Sequence, residues 1–117
     1  MPLSISTRTC EPGITVIELS GKVTLGRESS QIEPLTVKML AEGTRKIVFD
    51  VSGVTYIDSS GMGQIAFSAG KVTRAGGQCR VAGAAGMVLE VFRITRVDSV
   101  VPFADTVEEA CAQLGAV

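Results

Sequence analysis

The chain of 117 residues contains no histidine, and this absence excludes several classes of site. Ser-His-Asp and Cys-His catalysis both need an imidazole base, and a His-containing metal site needs an imidazole ligand. The three cysteines, Cys10, Cys79 and Cys111, are far apart and form no Cys-x-x-Cys pair that would suit zinc. We therefore predict no metal site and no cofactor.

Clusters of positive charge are also absent. Lys and Arg total 11, Asp and Glu total 12, and the basic residues are scattered along the chain. Binding to nucleic acid, or to an anionic membrane surface, depends on clustered positive charge. We therefore expect no direct contact with nucleic acid or with a membrane.

Long apolar runs are missing as well. None approaches the roughly 20 residues that cross a bilayer, and the first ten residues, MPLSISTRTC, lack the basic start and apolar segment of a secretory signal. We expect a cytoplasmic protein. In that compartment, three separated cysteines predict buried or partly buried reduced thiols and no structural disulfide.

Hydrophobic periodicity predicts an α/β fold. Alternating or β-branched apolar runs predict strands at residues 3–9, 14–21, 46–51, 78–83 and 100–103. The first two strands should form a hairpin, because Glu-Pro-Gly between them favours a turn, and Pro102 confines the last strand to an edge.

Apolar residues at helical spacing predict four helices, which begin near residues 30, 59, 84 and 107. Ser30 and Glu33 have the spacing of a capping box, Gly43 ends the first helix, and Asp105 or Thr106 caps the last. The order β-β-α-β-α-β-α-β-α predicts a single domain over residues 1–117. Its architecture is a mixed four- to five-stranded sheet with about four crossover or packing helices.

The stretch VTYIDSSGMGQI, residues 54–65, should join a strand to the second helix at the sheet edge where binding sites collect. Asp58 or Ser59 can cap this helix by accepting a backbone hydrogen bond. A cap does not explain the second serine, nor Gly61 and Gly63, each of which costs roughly 1 kcal/mol relative to alanine inside a helix. Bare backbone in a first turn lets another molecule approach closely.

Three chemical interpretations of this turn can be compared. A serine nucleophile would lack a histidine base and the Gly-x-Ser-x-Gly elbow, so we expect a non-enzymatic protein. Nucleotide binding would lack the Lys-Ser/Thr of a P-loop and a full dinucleotide fingerprint, which leaves it as a weak alternative. Serine phosphorylation fits better. A helix N-terminus tolerates a phosphate of charge about −2, whereas a partner docked beside Asp58 would meet new bulk and negative charge.

The stretch KIVFDVSGVTYIDSSGMGQI, residues 46–65, resembles the signature of the bacterial anti-sigma factor antagonists, which are STAS domains. In that family an apolar strand leads into Asp-Ser-Ser-Gly-Leu-Gly at a helix start. Residues 16–29 and 80–110 extend the resemblance over nearly the whole chain. The resemblance implies a STAS fold and a partner-switching role that regulates transcription indirectly.

In that family an anti-sigma factor, which is also an ATP-dependent serine kinase, phosphorylates the second serine of the pair. The unphosphorylated antagonist binds this kinase and frees a sigma factor, and a metal-dependent serine phosphatase restores the antagonist. The resemblance therefore implies that Ser60 is the phosphate acceptor, with Ser59 as the runner-up. The expected contact surface comprises Thr24, Asp58, Ser59, Gly61, Met62, Gly63, Gln64 and Phe67.

Two of these positions depart from the family pattern. Met62 replaces the common leucine, and Thr24 stands where many members carry an acid after the second strand. Phe67 is added on helix geometry, because it lies roughly 140° around the helix from Met62, beside Gln64 and Lys71. Phe67 is either a boundary residue covered by a neighbouring helix or a hydrophobic anchor for the partner.

A second interpretation of the same resemblance is a constitutive STAS scaffold or an accessory subunit of a stressosome-like or lipid-transport complex. In that case the serines would serve only as helix caps. A Ser60→Asp substitution would then leave the complex intact, which separates this interpretation from the phosphorylation switch.

Overall fold

The computed structural model describes residues 3–11 and 13–115. One sheet runs in the order β1-β2-β3-β4-β5, with β1 antiparallel to β2 and every other neighbouring pair parallel. The strands are β1 (Ser4–Glu11), β2 (Ile14–Val23), β3 (Lys46–Ile57), β4 (Gln78–Ala82) and β5 (Phe103–Ala104). The helices of this part are α1 (Ile32–Ala41), α2 (Ser59–Arg74), α3 (Gly86–Ile94) and α4 (Val107–Gly115). The predicted α/β fold, with its hairpin and edge strand, is confirmed.

The centre of the sheet is buried on both faces, whereas most of β1 is exposed. Ile47, Phe49 and Val51 of β3 point into a large core that α1, α2 and α3 cover. Val48, between them, points to a smaller core on the opposite face, which α4 covers. Successive side chains of a strand point to opposite faces, so a strand with helices on both sides needs a continuous apolar run. This explains the KIVFDV segment.

The third strand is longer than the sequence predicts. The apolar run ends at Val51, but β3 continues to Ile57 because it stays paired with β2, with Gly21 opposite Val54 and Val23 opposite Ile57. At Gly53 a Cβ atom would lie 2.7 Å from the Ser20 Cβ, so only glycine allows the two strands to run this close. The extension carries β3 to the point where α2 begins.

The predicted capping box of the first helix is wrong. Ser30 Oγ donates to the Arg27 carbonyl at 2.8 Å within a short 3-10 turn, Ser29–Gln31, that precedes α1. The N-cap of α1 is Gln31, which makes no side-chain cap. The cap predicted at the last helix is confirmed at Thr106, whose Oγ1 accepts from the Glu109 N–H at 3.1 Å.

The prediction of three reduced thiols is also wrong. Cys10 in β1 and Cys111 in α4 form a disulfide across a sequence separation of 101 residues, and Cys79 is free and buried. Spacing along the chain could not reveal this pair, since only the folded structure brings β1 and α4 together. None of the helices among the described residues combines the length and hydrophobicity that a membrane span needs.

Candidate functional site

Asp58 organises the sheet edge where β2 and β3 end side by side. Its Oδ1 accepts from the Gly61 N–H at 2.7 Å, which makes Asp58 the N-cap of α2. Its Oδ2 accepts from the Leu25 N–H at 3.1 Å, and its own N–H donates to the Val23 carbonyl at 3.2 Å. One carboxylate thus connects the β2–α1 loop to the start of α2. Of the two capping candidates, Asp58 is correct and Ser59 is not the cap.

The two serines are the first residues of α2, and both are exposed. The first turn of a helix has backbone N–H groups without intrahelical acceptors and carries the positive end of the helix dipole. Asp58 already satisfies the Gly61 N–H. Neither the Ser59 nor the Ser60 hydroxyl hydrogen-bonds to any residue that the structure describes. Capping therefore accounts for Asp58 and leaves both hydroxyls unexplained.

The two glycines that follow have different reasons to be glycine. A Cβ at Gly61 would lie 2.7 Å from Val23 Cγ1 and still closer to the Val23 carbonyl group. This backbone therefore lies against the chain's own β2, which explains why residue 61 is glycine, and contact of Gly61 with a partner stays a prediction. A Cβ at Gly63 would meet no heavy atom within 4 Å. Only Gly63 leaves open space.

The α2 side chains of the predicted contact surface also differ in whether they face the core or the solvent. Met62 is only 6% exposed, and its sulfur contacts the Thr95 hydroxyl, so it supports the site from the core. Gln64 is half-buried, and its Oε1 has no hydrogen-bond partner among the described residues. Phe67 is 65% exposed, so a neighbouring helix does not cover it.

The remaining predicted residue, Thr24, follows β2 directly and is half-buried beside Asp58. Its carbonyl accepts from Ser29 Oγ, which holds the loop in a tight turn. Thr24 therefore lies at the same sheet edge as the serines. Its hydroxyl forms no hydrogen bond with the residues that the structure describes.

Sequence reasoning missed two exposed apolar residues near this surface. Leu25 is 81% exposed and is held by its N–H bond to Asp58. Val100 is 60% exposed and lines a shallow groove of about 270 Å³ with Phe67 and Arg74. A single leucine in the polar segment TLGRES was the available signal for Leu25. Val100 had none, because it falls in the segment predicted to be a strand.

Metal chemistry has no evident basis at this edge. Within residues 3–11 and 13–115, no group of three or more Cys, Asp or Glu side chains could hold a metal ion.

The site offers two exposed hydroxyls at a helix N-terminus, one half-buried carboxylate and exposed apolar side chains on the adjoining loop and helix. Such a surface suits protein binding, in which apolar anchors give affinity and a modified hydroxyl can oppose it.

Comparison with known proteins agrees with this geometry. A family model described as STAS domain matches residues 7–110. An anti-sigma factor antagonist from Mycobacterium paratuberculosis is 18% identical, with a TM-score of 0.85, and the match covers 97% of this chain and 95% of that one. The anti-sigma factor antagonist SpoIIAA, in its unphosphorylated form, is 18% identical over 97% of this chain and 100% of its own, with a TM-score of 0.78.

A third similar structure carries a different description. A sulfate transporter family protein from Wolinella succinogenes is 13% identical, with a TM-score of 0.81, over 93% of this chain and 90% of that one. At these identities the structural likeness shows the fold alone. The antagonists and the transporter family protein share that fold.

Proposed function

The chain belongs to the STAS domain family, and on that premise we propose that it is a non-enzymatic anti-sigma factor antagonist switched by phosphorylation of Ser60. The observation that carries the proposal is the free, exposed hydroxyl of Ser60 in the first turn of α2. Since Asp58 is the cap, this hydroxyl is not needed to start the helix.

Helix geometry favours Ser60 over Ser59 as the acceptor. Ser60 and Phe67 are seven residues apart, which puts them within about 20° of one another around the helix. Ser59 is aligned instead with Ala66, which is half-buried. A partner that covers the exposed Phe67 ring therefore also covers Ser60, and a phosphate on Ser60 would stand inside the contact.

The effect of the phosphate follows from its surroundings. It adds a charge of about −2, which the N-terminus of α2 tolerates, so the fold should persist. The partner would meet this charge next to the Asp58 carboxylate and in the middle of an apolar contact with Leu25 and Phe67. Burying an unpaired charge is expensive, so the complex should dissociate while the domain stays folded.

The proposed partners of the chain are an anti-sigma factor serine kinase, which binds ATP and transfers its phosphate, and a serine phosphatase. The similarity to SpoIIAA, whose structure is described as that of an unphosphorylated antagonist, supports a state that changes by phosphorylation. Thr24, Asp58, Ser59, Gly61, Met62, Gly63 and Gln64 are proposed to shape or contact the partner surface around Ser60.

The proposal is tested by incubating the chain with the purified anti-sigma factor kinases of its source organism and ATP. We expect one kinase to add a single phosphate, which intact mass and peptide mapping place on Ser60. Ser60→Ala should abolish this addition, and Ser59→Ala is the matched control that should retain it. A phosphate on Ser59, or on neither serine with any of these kinases, contradicts the proposed switch.

The likeness to the sulfate transporter family protein favours a second candidate, a STAS accessory unit that binds constitutively. This unit would use the same exposed side chains without a switch. Ser60→Asp distinguishes the two candidates, since it should weaken a switched complex and leave a constitutive one unchanged.

A further inference from the structure

The disulfide between Cys10 and Cys111 and the hydroxyl of Ser60 lie at opposite ends of the strands of the sheet. Cys10 is near the end of β1, where Glu11 pairs with Ile14 at the start of β2, whereas Ser60 lies where β2 and β3 end. The two Cα atoms are 6.7 Å apart, and the bridge joins the edge strand to α4. Any role of this bridge is therefore independent of the function proposed for Ser60.

Both cysteines line an open groove between β1 and α4. The groove has a volume of about 350 Å³, and Thr9, Glu11 and Glu108 are among its other walls. Cys10 is half-buried at an irregularity in the β1–β2 pairing, whereas Cys111 is only 5% exposed. A thiol that enters the groove from solvent therefore reaches the Cys10 sulfur first.

The third cysteine provides a contrast within the same chain. Cys79 is buried in the large core, and burial raises the pKa of its thiol to about 12. A thiol that is inaccessible and fully protonated neither attacks a disulfide nor reacts with an alkylating reagent. Exchange chemistry is thus confined to the pair in the groove.

Helix α4 does not depend on the bridge alone. The Lys46 ammonium donates to the Leu114 carbonyl at 2.7 Å, and Arg80 Nε donates to Gln113 Oε1 at 2.9 Å. Ala110 and Leu114 are fully buried against the sheet. These contacts should keep α4 docked when the bridge is open, so that reduction can be reversed.

We propose that Cys10 and Cys111 form a reversible thiol–disulfide modification site, which a dithiol reductant opens and which fastens α4 to the edge strand when closed. A thiolate of the dithiol attacks the Cys10 sulfur, the S–S bond breaks, and Cys111 leaves as a thiolate that takes up a proton. The second thiol of the reductant then attacks the mixed disulfide and releases Cys10, which also becomes a thiol. The bridge gains two electrons and two protons, and the dithiol becomes a disulfide.

Alkylation of the folded chain tests this proposal. Oxidised protein should take up no iodoacetamide, whereas protein treated with dithiothreitol should be alkylated at Cys10 and, more slowly, at Cys111. Cys79 should react only after denaturation. Oxidised glutathione should restore the protected state. Alkylation of Cys10 without a reductant, or equal reaction of Cys79 under native conditions, contradicts the proposal.

Thermal unfolding gives a second, independent readout. Because the bridge closes a loop of nearly the whole chain, dithiothreitol should lower Tm by about 10 °C. Cys10→Ser should have the lower Tm at the outset and no response to dithiothreitol, and Cys79→Ala is the matched control that should keep the response. A wild-type Tm that dithiothreitol leaves unchanged, or one that glutathione does not restore, overturns the proposal.

Discussion

Replacing Gly61 by alanine places a methyl group where β2 ends against the first turn of α2. The new Cβ would lie 2.7 Å from Val23 Cγ1 and closer still to the backbone carbonyl of Val23. Backbone cannot rotate away as a side-chain end can, so the end of β2 and the start of α2 must separate. That movement strains the bond from the Asp58 N–H to the Val23 carbonyl, which is 3.2 Å long in the wild type.

The magnitude follows from three contributions. Overpacking a tight contact costs about 1–3 kcal/mol, and weakening a hydrogen bond costs about 1 kcal/mol. Alanine returns up to about 1 kcal/mol through its better helix propensity. We therefore expect Gly61→Ala to lower the free energy of unfolding by about 2 kcal/mol. Gly63→Ala, with no heavy atom within 4 Å of its Cβ, should raise it by about 0.5–1 kcal/mol.

The assay is equilibrium unfolding in urea, monitored by circular dichroism, with the m-value expected to be the same for all variants. Both substitutions change glycine to alanine near the start of one helix, so propensity is matched and only the contact with Val23 differs. Equal stability of the two variants would refute the reasoning about the β2–α2 contact.

Three further predictions concern single side chains. Asp58→Ala should destabilise the chain by about 1–2 kcal/mol in the same assay, because it removes the cap and the bond to the Leu25 N–H; Ser59→Ala should change stability by less than about 0.5 kcal/mol. Ser68→Ala should stabilise by about 1 kcal/mol, because the Ser68 hydroxyl is buried and has no partner among the described residues. The hydrogen bond from Arg8 lowers the pKa of the Glu18 carboxyl, so Arg8→Gln should raise that pKa in an NMR titration. The same substitution should remove a small stabilisation of the fold, which in the wild type is present at neutral pH and is lost as pH falls through the Glu18 pKa.

Local patterns predicted most of the fold because they report burial directly. The apolar face of α2 predicted that Ile65, Ala69 and Val72 point inward, and all three are buried. The same periodicity placed Phe67 outside this inward face but left open whether a neighbouring helix covers it, and its 65% exposure answers that question. The position of Pro102 predicted a short edge strand over residues 100–103; an edge strand is present, but β5 is Phe103–Ala104 and begins after Pro102.

Features that depend on contacts between distant residues could not be predicted in this way. β3 continues past Val51 because β2 pairs with it, although the apolar run ends there. Gly61 is explained by Val23, which is 38 residues earlier in the chain and invisible to any local pattern. The Cys10–Cys111 bridge spans 101 residues. Each of these contacts exists only after the sheet has formed.

The sequence predicted where the site lies better than it predicted what each residue of the site does. The resemblance of residues 46–65 identified the helix start, and the structure brings Thr24, Asp58 and the serines together there. The structure places Met62 in the core and Gly61 against Val23 of its own chain, so any contact of these two residues with a partner stays a prediction. The role of Ser60 stays a prediction, because it depends on a partner.

The most direct measurement of that role is the affinity of the chain for its anti-sigma factor kinase before and after phosphorylation at Ser60, by isothermal titration calorimetry. We expect the phosphate to raise Kd by at least about tenfold, which corresponds to about 1.4 kcal/mol, while the circular dichroism spectrum stays unchanged. An affinity that is the same in both states would contradict the switch.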